Sequence, residues 1–319
     1  MKDLVSVIVP ALNEEGNIDE FCRQFDQMTK NSKRSYELVY VDDGSTDGTW
    51  DRICAAREKY GFIRARRHPF NLGLTDALKS GFSEAEGDIY VFYPADLQYK
   101  PEDIPALVEP LFHGADVTTG WKQGKYEKRF VSSVYNALSR KIFGLKVHDL
   151  NSVKAFRANV VKDVFLRKDW HRYLVVLAAD QGYRIDEVKI PLYDRVWGKS
   201  KYSFWRIPVG VLDMLAVKTQ LSFLKKPLLF FGLLGSISFI LGFLIGLVAI
   251  YYRFVEGIGL RPLLYLVILL VGAGMGLFIL GFLAEGLASI KEELGAVRRK
   301  LDILESDVDL DNKKKKMLG

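Results

Sequence analysis

The sequence predicts an α/β domain on a parallel-rich sheet, followed by a two-helix transmembrane hairpin. Three observations carry this. Short β-branched runs alternate with segments of helical periodicity over roughly the first 200 residues. Acidic residues gather where those runs stop. Residues 228–250 and 263–284 are almost purely apolar, each near the length a helix needs to cross a bilayer core. The organisation expected is a cytoplasmic α/β domain over 1–200, juxtamembrane amphipathic helices over 201–226, two transmembrane helices over 227–286, and a cytoplasmic amphipathic or coiled-coil helix with a basic tail over 287–319.

The first strand is "LVSVIVPAL", a continuous apolar run that ends at Asn13-Glu14-Glu15-Gly16 and leads into a helix over "IDEFCRQFDQMTK". "YELVYVDDGSTDGT" repeats the scheme: a strand, two aspartates at its carboxyl end, a Gly/Ser turn, then the helix "WDRICAAREKY". "GFIRARRHP" is a shorter strand, "LTDALKSGFSEA" a helix, and "DIYVFYPAD" a further strand. Such alternation implies a parallel sheet covered on both faces, with ligands bound outside the carboxyl ends of its strands. Asn13, Glu14, Asp42, Asp43 and Asp96 all fall at those ends. Turn or cap duty is the competing role for Asp47 and for one of the pair Asp42 and Asp43. No G-x-G-x-x-G follows the first strand and no P-loop is present, so backbone amides are not the expected diphosphate ligands. An acidic, Gly-poor site suggests a metal ion in that role.

The chain has 319 residues, 49% hydrophobic and 26% charged, enough for one large domain plus an appendage. Its start, "MKDLVSVIVPALNEE", lacks the cleavage-site pattern of a signal peptide. Cys22 and Cys54 have no CxxC or Cys/His spacing and read as reduced structural thiols; the four histidines form no metal box. The charge of +6 is concentrated beside the apolar segments and in the Lys313–Lys316 run, which points to an anionic lipid surface and not to nucleic acid. Lys218, Lys225 and Lys226 precede the first span, and Lys291, Arg298, Arg299 and Lys300 follow the second. The expectation is an integral protein of the plasma membrane or its equivalent, with catalytic domain and both termini cytoplasmic.

Five stretches, "VSVIVPALNEEGNI", "VYVDDGSTDGT", "NLGLTDALKSGFSEAEGD", "ADLQYKPEDIPAL" and "GKSKYSFWR", resemble family 2 of the glycosyltransferases. Within it they look like the polyprenyl-phosphate sugar transferases typified by dolichyl-phosphate mannose synthase. The resemblance covers residues 4 to about 225. It implies a GT-A type fold, a GDP- or UDP-linked sugar donor, a dolichyl or undecaprenyl phosphate acceptor, and transfer with inversion. It also implies that Pro10, Ala11, Asn13, Glu14, Asp42, Asp43 and Ala95 bind the donor nucleotide, and that Asp96 and Gln98 hold Mg²⁺ or Mn²⁺. The family pattern has an Asp where this chain has Pro94, so one anionic ligand is missing. An active enzyme with altered metal dependence is expected.

In "KRFVSSVYNALSRKIFGLKVHDLNSVKAFR", which has the look of the family's acceptor region, Arg129, Ser132 and Asn136 lie at helical offsets of three and four. Arg129, Ser132 and Arg140 are candidate ligands of the acceptor phosphate, since guanidinium forks match phosphate oxygens. An ordinary cationic helix face is the alternative. Asp149 and Ser152 match a family segment placed near the reacting sugar, so Asp96, Asp149 and Arg129 are the catalytic candidates. His171 and Arg172 are further acceptor contacts, and Arg195, Lys199 and Lys201 form a basic cluster suited to clamping phosphates. A processive polysaccharide synthase would need an "ED" base pair and Q-x-x-R-W, and neither is present. A non-catalytic scaffold has only Pro94 in its favour. Beyond the second span, Leu287, Ile290, Leu294, Val297, Leu301, Leu304 and Val308 recur at alternating three and four. This a/d seam predicts a homo-oligomer, or else a helix folded back on its own domain.

Overall fold

The computed structural model describes residues 4–124, 129–164, 166–167, 169–194 and 206–318. They form two compact units, Met1–Met214 and Leu215–Gly319. The first is built on a seven-stranded sheet in the order β3-β2-β1-β4-β6-β5-β7. In chain order its elements are β1 (Leu4–Ala11), α1 (Glu15–Asn31), β2 (Ser35–Asp42), α2 (Thr49–Lys59), β3 (Ile63–Arg67), α3 (Leu74–Glu84), β4 (Ile89–Phe92), α4 (Ile104–Phe112), β5 (Val117–Gln123), α5 (Arg129–Phe143), β6 (Lys154–Arg157), α6 (Ala158–Asp163), α7 (Leu174–Asp180) and β7 (Ile185–Pro191).

β1 lies between β2 and β4 and is parallel to both, and its residues alternate between two layers. Val5, Val7 and Val9 join Ile18, Phe21 and Phe25 of α1 and Leu107 and Val108 of α4 in the main core. Ile8 points the other way, against Gly81 of α3, where an added Cβ would lie 2.3 Å from the Ile8 side chain. A helix layer on each face explains why β1 and β2 read as unbroken apolar runs.

The sheet is not wholly parallel. β6 runs antiparallel to both β4 and β5. The reason lies in the connection: β5 ends at the edge where β4 ends, α5 and residues 144–153 follow, and β6 then enters from that edge. No crossover helix returns the chain to the opposite edge, so β6 must run backwards. This connection delivers Asp149 and Ser152 to the carboxyl ends of β4 and β5.

In the second unit, α9 (Pro227–Phe254) and α10 (Arg261–Leu318) pack as a hairpin; α8 (Arg206–Lys225) precedes them. Both hairpin helices are long and apolar enough to cross a membrane, and only 17% and 6% of their most apolar windows are buried, which sets them apart from core helices. They meet at glycines: a Cβ on Gly235 would sit 2.7 Å from the Gly274 carbonyl oxygen, and one on Gly274 would sit 2.8 Å from that of Gly235. Small residues allow this backbone approach, and the Ser238 hydroxyl adds a 2.8 Å hydrogen bond to the Leu270 carbonyl. α10 runs on from the second apolar segment through residues 287–318, 58 residues in one element.

Candidate active site

The first part of the site is the junction of β1 and β2. Ala11 pairs with Asp42 in the parallel ladder, and the Asp43 amide donates to the Ala11 carbonyl at 2.9 Å. Asn13 takes a positive φ of 58°, so that its amide meets the Ser45 hydroxyl at 2.9 Å and its side-chain oxygen accepts from the Thr46 amide. Glu14 is held in the same way: its amide donates to Thr49 and its carboxylate accepts from Asn17. Pro10 is the last residue but one of β1. Asp42 is fully buried. Its Oδ1 accepts from the Ser45 amide at 3.1 Å, while Oδ2 faces Arg67 Nε at 3.1 Å without an aligned hydrogen bond. That oxygen keeps acceptor capacity, which suits recognition of an N–H edge.

Asp43 does different work. Its Oδ1 accepts from His68 Nδ1 at 2.8 Å and from the Leu72 amide at 3.0 Å, and its Oδ2 accepts from the Gly73 amide at 2.9 Å. His68 continues the chain through Nε2 to the Ser80 hydroxyl at 2.9 Å. Asp43 thus builds the loop between β3 and α3, while Asp42 Oδ2 is left without an aligned hydrogen bond. Gly44 lets the layers close: at φ 74°, a Cβ there would lie 2.4 Å from the backbone of Phe70.

The second part follows β4. Ala95 is buried, and Asp96 is 8% exposed with Oδ1 accepting from the Gln98 amide at 3.2 Å. Leu97 between them has a positive φ of 56°, which folds the segment into a tight turn. The Gln98 carbonyl accepts from the Tyr193 amide at 2.9 Å, tying this turn to the segment after β7. Among the described residues no group of three or more His, Cys, Asp or Glu side chains could hold a metal ion. One carboxylate and one amide do fit the sparser set that Mg²⁺ takes when substrate phosphates and water complete its shell.

The third part is delivered by the reversed strand. Asp149 is 3% exposed; its Oδ2 faces Lys122 Nζ at 3.3 Å and its Oδ1 accepts from the Asn151 amide at 2.9 Å. Ser152 meets the Tyr99 hydroxyl at 3.1 Å, which links this part to the Asp96 turn. Beneath them Lys154 is buried in β6 and donates to the Ser152 carbonyl at 2.7 Å. Burial pulls the Lys154 ammonium down to about 7, although nearby Asp149 opposes the shift. His171, next to Thr75 at 3.1 Å, is pulled down to about 3 by burial and by the Lys154 and Arg172 charges. The Nε of Arg172 is buried with no hydrogen-bond partner.

Lys122 and Lys154 were not legible beforehand, because a lysine in a short strand reads as an outward-facing solvated residue. The only signal is position, within a few residues of the Asp149 segment or on its partner strand. Arg140 lies in the last turn of α5, with one guanidinium nitrogen 3.4 Å from the His148 carbonyl. Asn136 on the same helix is buried. Arg129 and Ser132 belong to α5, but their side chains, and all of Arg195, Lys199 and Lys201, lie outside the described residues.

Residues 6–161, the stretch that supplies the first two parts and Asp149, match the model of glycosyl transferase family 2. The chain is also 32% identical over 298 residues to dodecaprenyl-phosphate galacturonate synthase of Rhizobium johnstonii, covering 89% of this chain and 87% of that one. The chain belongs to glycosyltransferase family 2. Another relative is the undecaprenyl-phosphate 4-deoxy-4-formamido-L-arabinose transferase of Klebsiella pneumoniae, 30% identical over 86% of each chain. Among solved structures, glucosyl-3-phosphoglycerate synthase from Mycobacterium tuberculosis, in complex with Mn²⁺, uridine diphosphate and phosphoglyceric acid, superposes with a TM-score of 0.55. It is 21% identical and covers 68% of this chain and 78% of that one, which establishes the GT-A fold of this glycosyltransferase and nothing finer. The relatives align across the hairpin as well as the catalytic domain, so the two units form one enzyme type.

Proposed function

We propose that this glycosyltransferase moves a hexose-type sugar from a GDP- or UDP-linked donor to a polyprenyl phosphate, with inversion at the anomeric carbon. The observation that carries the reading is a family 2 site, acidic at the donor side and rich in Lys and Arg at the other, in a chain that also bears a membrane hairpin. A lipid phosphate as acceptor accounts for all three features.

A phosphate monoester has its second pKa near 6, so its attacking oxygen is largely anionic at neutral pH. That oxygen forms the new bond to the anomeric carbon as the bond to the donor diphosphate breaks. The diphosphate leaves with the electron pair, and no proton need move. The residues' tasks are then alignment and charge. Asp42 accepts an N–H of the nucleobase, in a pocket whose rim is Pro10, Ala11, Asn13, Glu14 and Ala95. Asp43 acts at one remove, by fixing the loop before α3. Asp96 and Gln98 would hold a divalent cation, Mg²⁺ or Mn²⁺, which supplies positive charge to the leaving diphosphate. Asp149, oriented by Lys122, faces the reacting sugar. Arg129, Ser132, Arg140, Arg195, Lys199 and Lys201 receive the phosphates.

The positive-inside distribution supports cytoplasmic termini, a cytoplasmic catalytic domain and a plasma-membrane location or its equivalent. Association of copies through α10 belongs to the same proposal. The test is to incubate purified protein with polyprenyl phosphate and a panel of labelled GDP- and UDP-sugars, with and without Mg²⁺ or Mn²⁺. Formation of a lipid-linked sugar from at least one donor is expected, and Asp96→Ala should abolish it. No lipid-linked product from any donor, or near-normal turnover in the variant, would overturn the assignment.

A further inference from the structure

α10 does not end where its partner ends. It continues as one unbroken helix from Arg261 to Leu318. On the part beyond the apolar span, Leu287, Ile290, Leu294 and Val297 are 68%, 55%, 64% and 54% exposed. At 1.5 Å per residue, the seam from Leu287 to Leu304 rises about 26 Å, as long as many cytoplasmic coiled coils.

The seam has a register. With Leu287, Leu294, Leu301 and Val308 at a, the d positions are Ile290, Val297 and Leu304. Counting back, the same register passes through the span as Leu269, Ala273, Gly276, Leu280 and Leu283. Residues that meet α9, namely Leu270, Val271, Gly274, Leu277, Phe278 and Gly281, occupy positions b, e and f. The hairpin therefore uses one side of α10 and leaves the a/d side open at the described positions from Leu280 to Val297.

The flanking charges say what fits there. Glu293 and Lys300 hold g positions, and Arg298 and Glu305 hold the e positions five residues further on. In a parallel, in-register pair each g residue faces the e residue of the next helix, and both pairs are of opposite charge, Glu293 with Arg298 and Lys300 with Glu305. A helix anchored in the same bilayer by the same span has no other direction available. We propose that the a/d face of α10 joins copies of this chain in a parallel, in-register coiled coil that extends from the bilayer into the aqueous phase. Leu287, Leu294 and Leu301 at a with Ile290 and Val297 at d favour three or four strands over two, with Val308 at a and Leu304 at d departing from that pattern.

The test uses the full chain in membrane vesicles. Leu294→Cys, at the seam, should form a disulfide between copies on mild oxidation about tenfold faster than Ala296→Cys, at heptad position c; wild type, with Cys22 and Cys54 in place, is the blank. In detergent, light scattering should give the mass of three or four chains. Arg298→Glu should lower that mass, and Glu293→Arg with Arg298→Glu should restore it. Equal crosslinking at the two positions, a single-chain mass, or no response to the charge reversals overturns the proposal, the result expected if the seam folds onto its own domain. A two-chain mass overturns the strand number.

Discussion

At the scale of the residue, the aspartate pair after β2 shows what chemistry sequence alone assigns and what it leaves open. Position at a strand end marked both Asp42 and Asp43 as candidates; only their hydrogen-bond partners separate them, since Asp43 holds the loop before α3 and Asp42 Oδ2 has no aligned hydrogen bond. Asp42→Asn keeps the shape but removes the charge and one acceptor, so the donor KM should rise about tenfold to a hundredfold, the weight of a charge-assisted hydrogen bond, with kcat much less affected. Steady-state kinetics with the donor varied checks this. Lys154 carries a second prediction. Its folded value of about 7 lies below the value near 10.4 of an exposed lysine. Between those two pH values the unfolded chain binds more protons, so stability contributed by this group rises with pH across that window. Lys154→Met should remove the rise, read from denaturant midpoints of the detergent-solubilised enzyme at pH 7 and pH 10. An unchanged slope would remove Lys154 as its source.

At the scale of the element, the alternating pattern identified β1, α1, β2, α2, β3, α3 and β4 in order because each apolar run had the period of its structure. The reversal of β6 was not legible, since a four-residue strand has the same local pattern in either direction and its sense is fixed by the connection before it. In α10 the change from apolar span to charged heptads passes Gly286 and Gly295 but no proline, and the helix continues through it. Gly44 shows an element-level constraint that the "DDGST" turn did announce. Gly44→Ala brings a methyl to 2.4 Å from the Phe70 backbone at a φ of 74°. The strain should cost about 1–3 kcal/mol and displace the loop that Asp43 holds. A lowered unfolding midpoint together with a raised donor KM is the expected outcome; a change in neither would show that the two layers separate freely.

At the scale of the whole molecule, each histidine near the described part of the site already has a partner, His148 through its Nδ1 at 2.6 Å from Glu187. His68 is engaged at both ring nitrogens, by Asp43 and Ser80, and His171 stays neutral down to about pH 3 while contacting Thr75. An acidic limb in the rate profile is then expected from the acceptor, with Asp103, which burial raises to about 6, the protein group to tell apart from it. As pH falls through about 6 the phosphate dianion gains a proton, so the rate at pH 5 should be about tenfold below that at neutral pH. Lys154, with its value of about 7, loses its charge in the opposite direction and bears on the alkaline limb only. Replacing the acceptor phosphate by a difluoromethylene phosphonate, whose second pKa is lower, should move the acidic limb down by the same interval. A limb that stays at its original pH with the analogue would place the titrating group on the protein, and a base would have to be sought among the residues around Asp149.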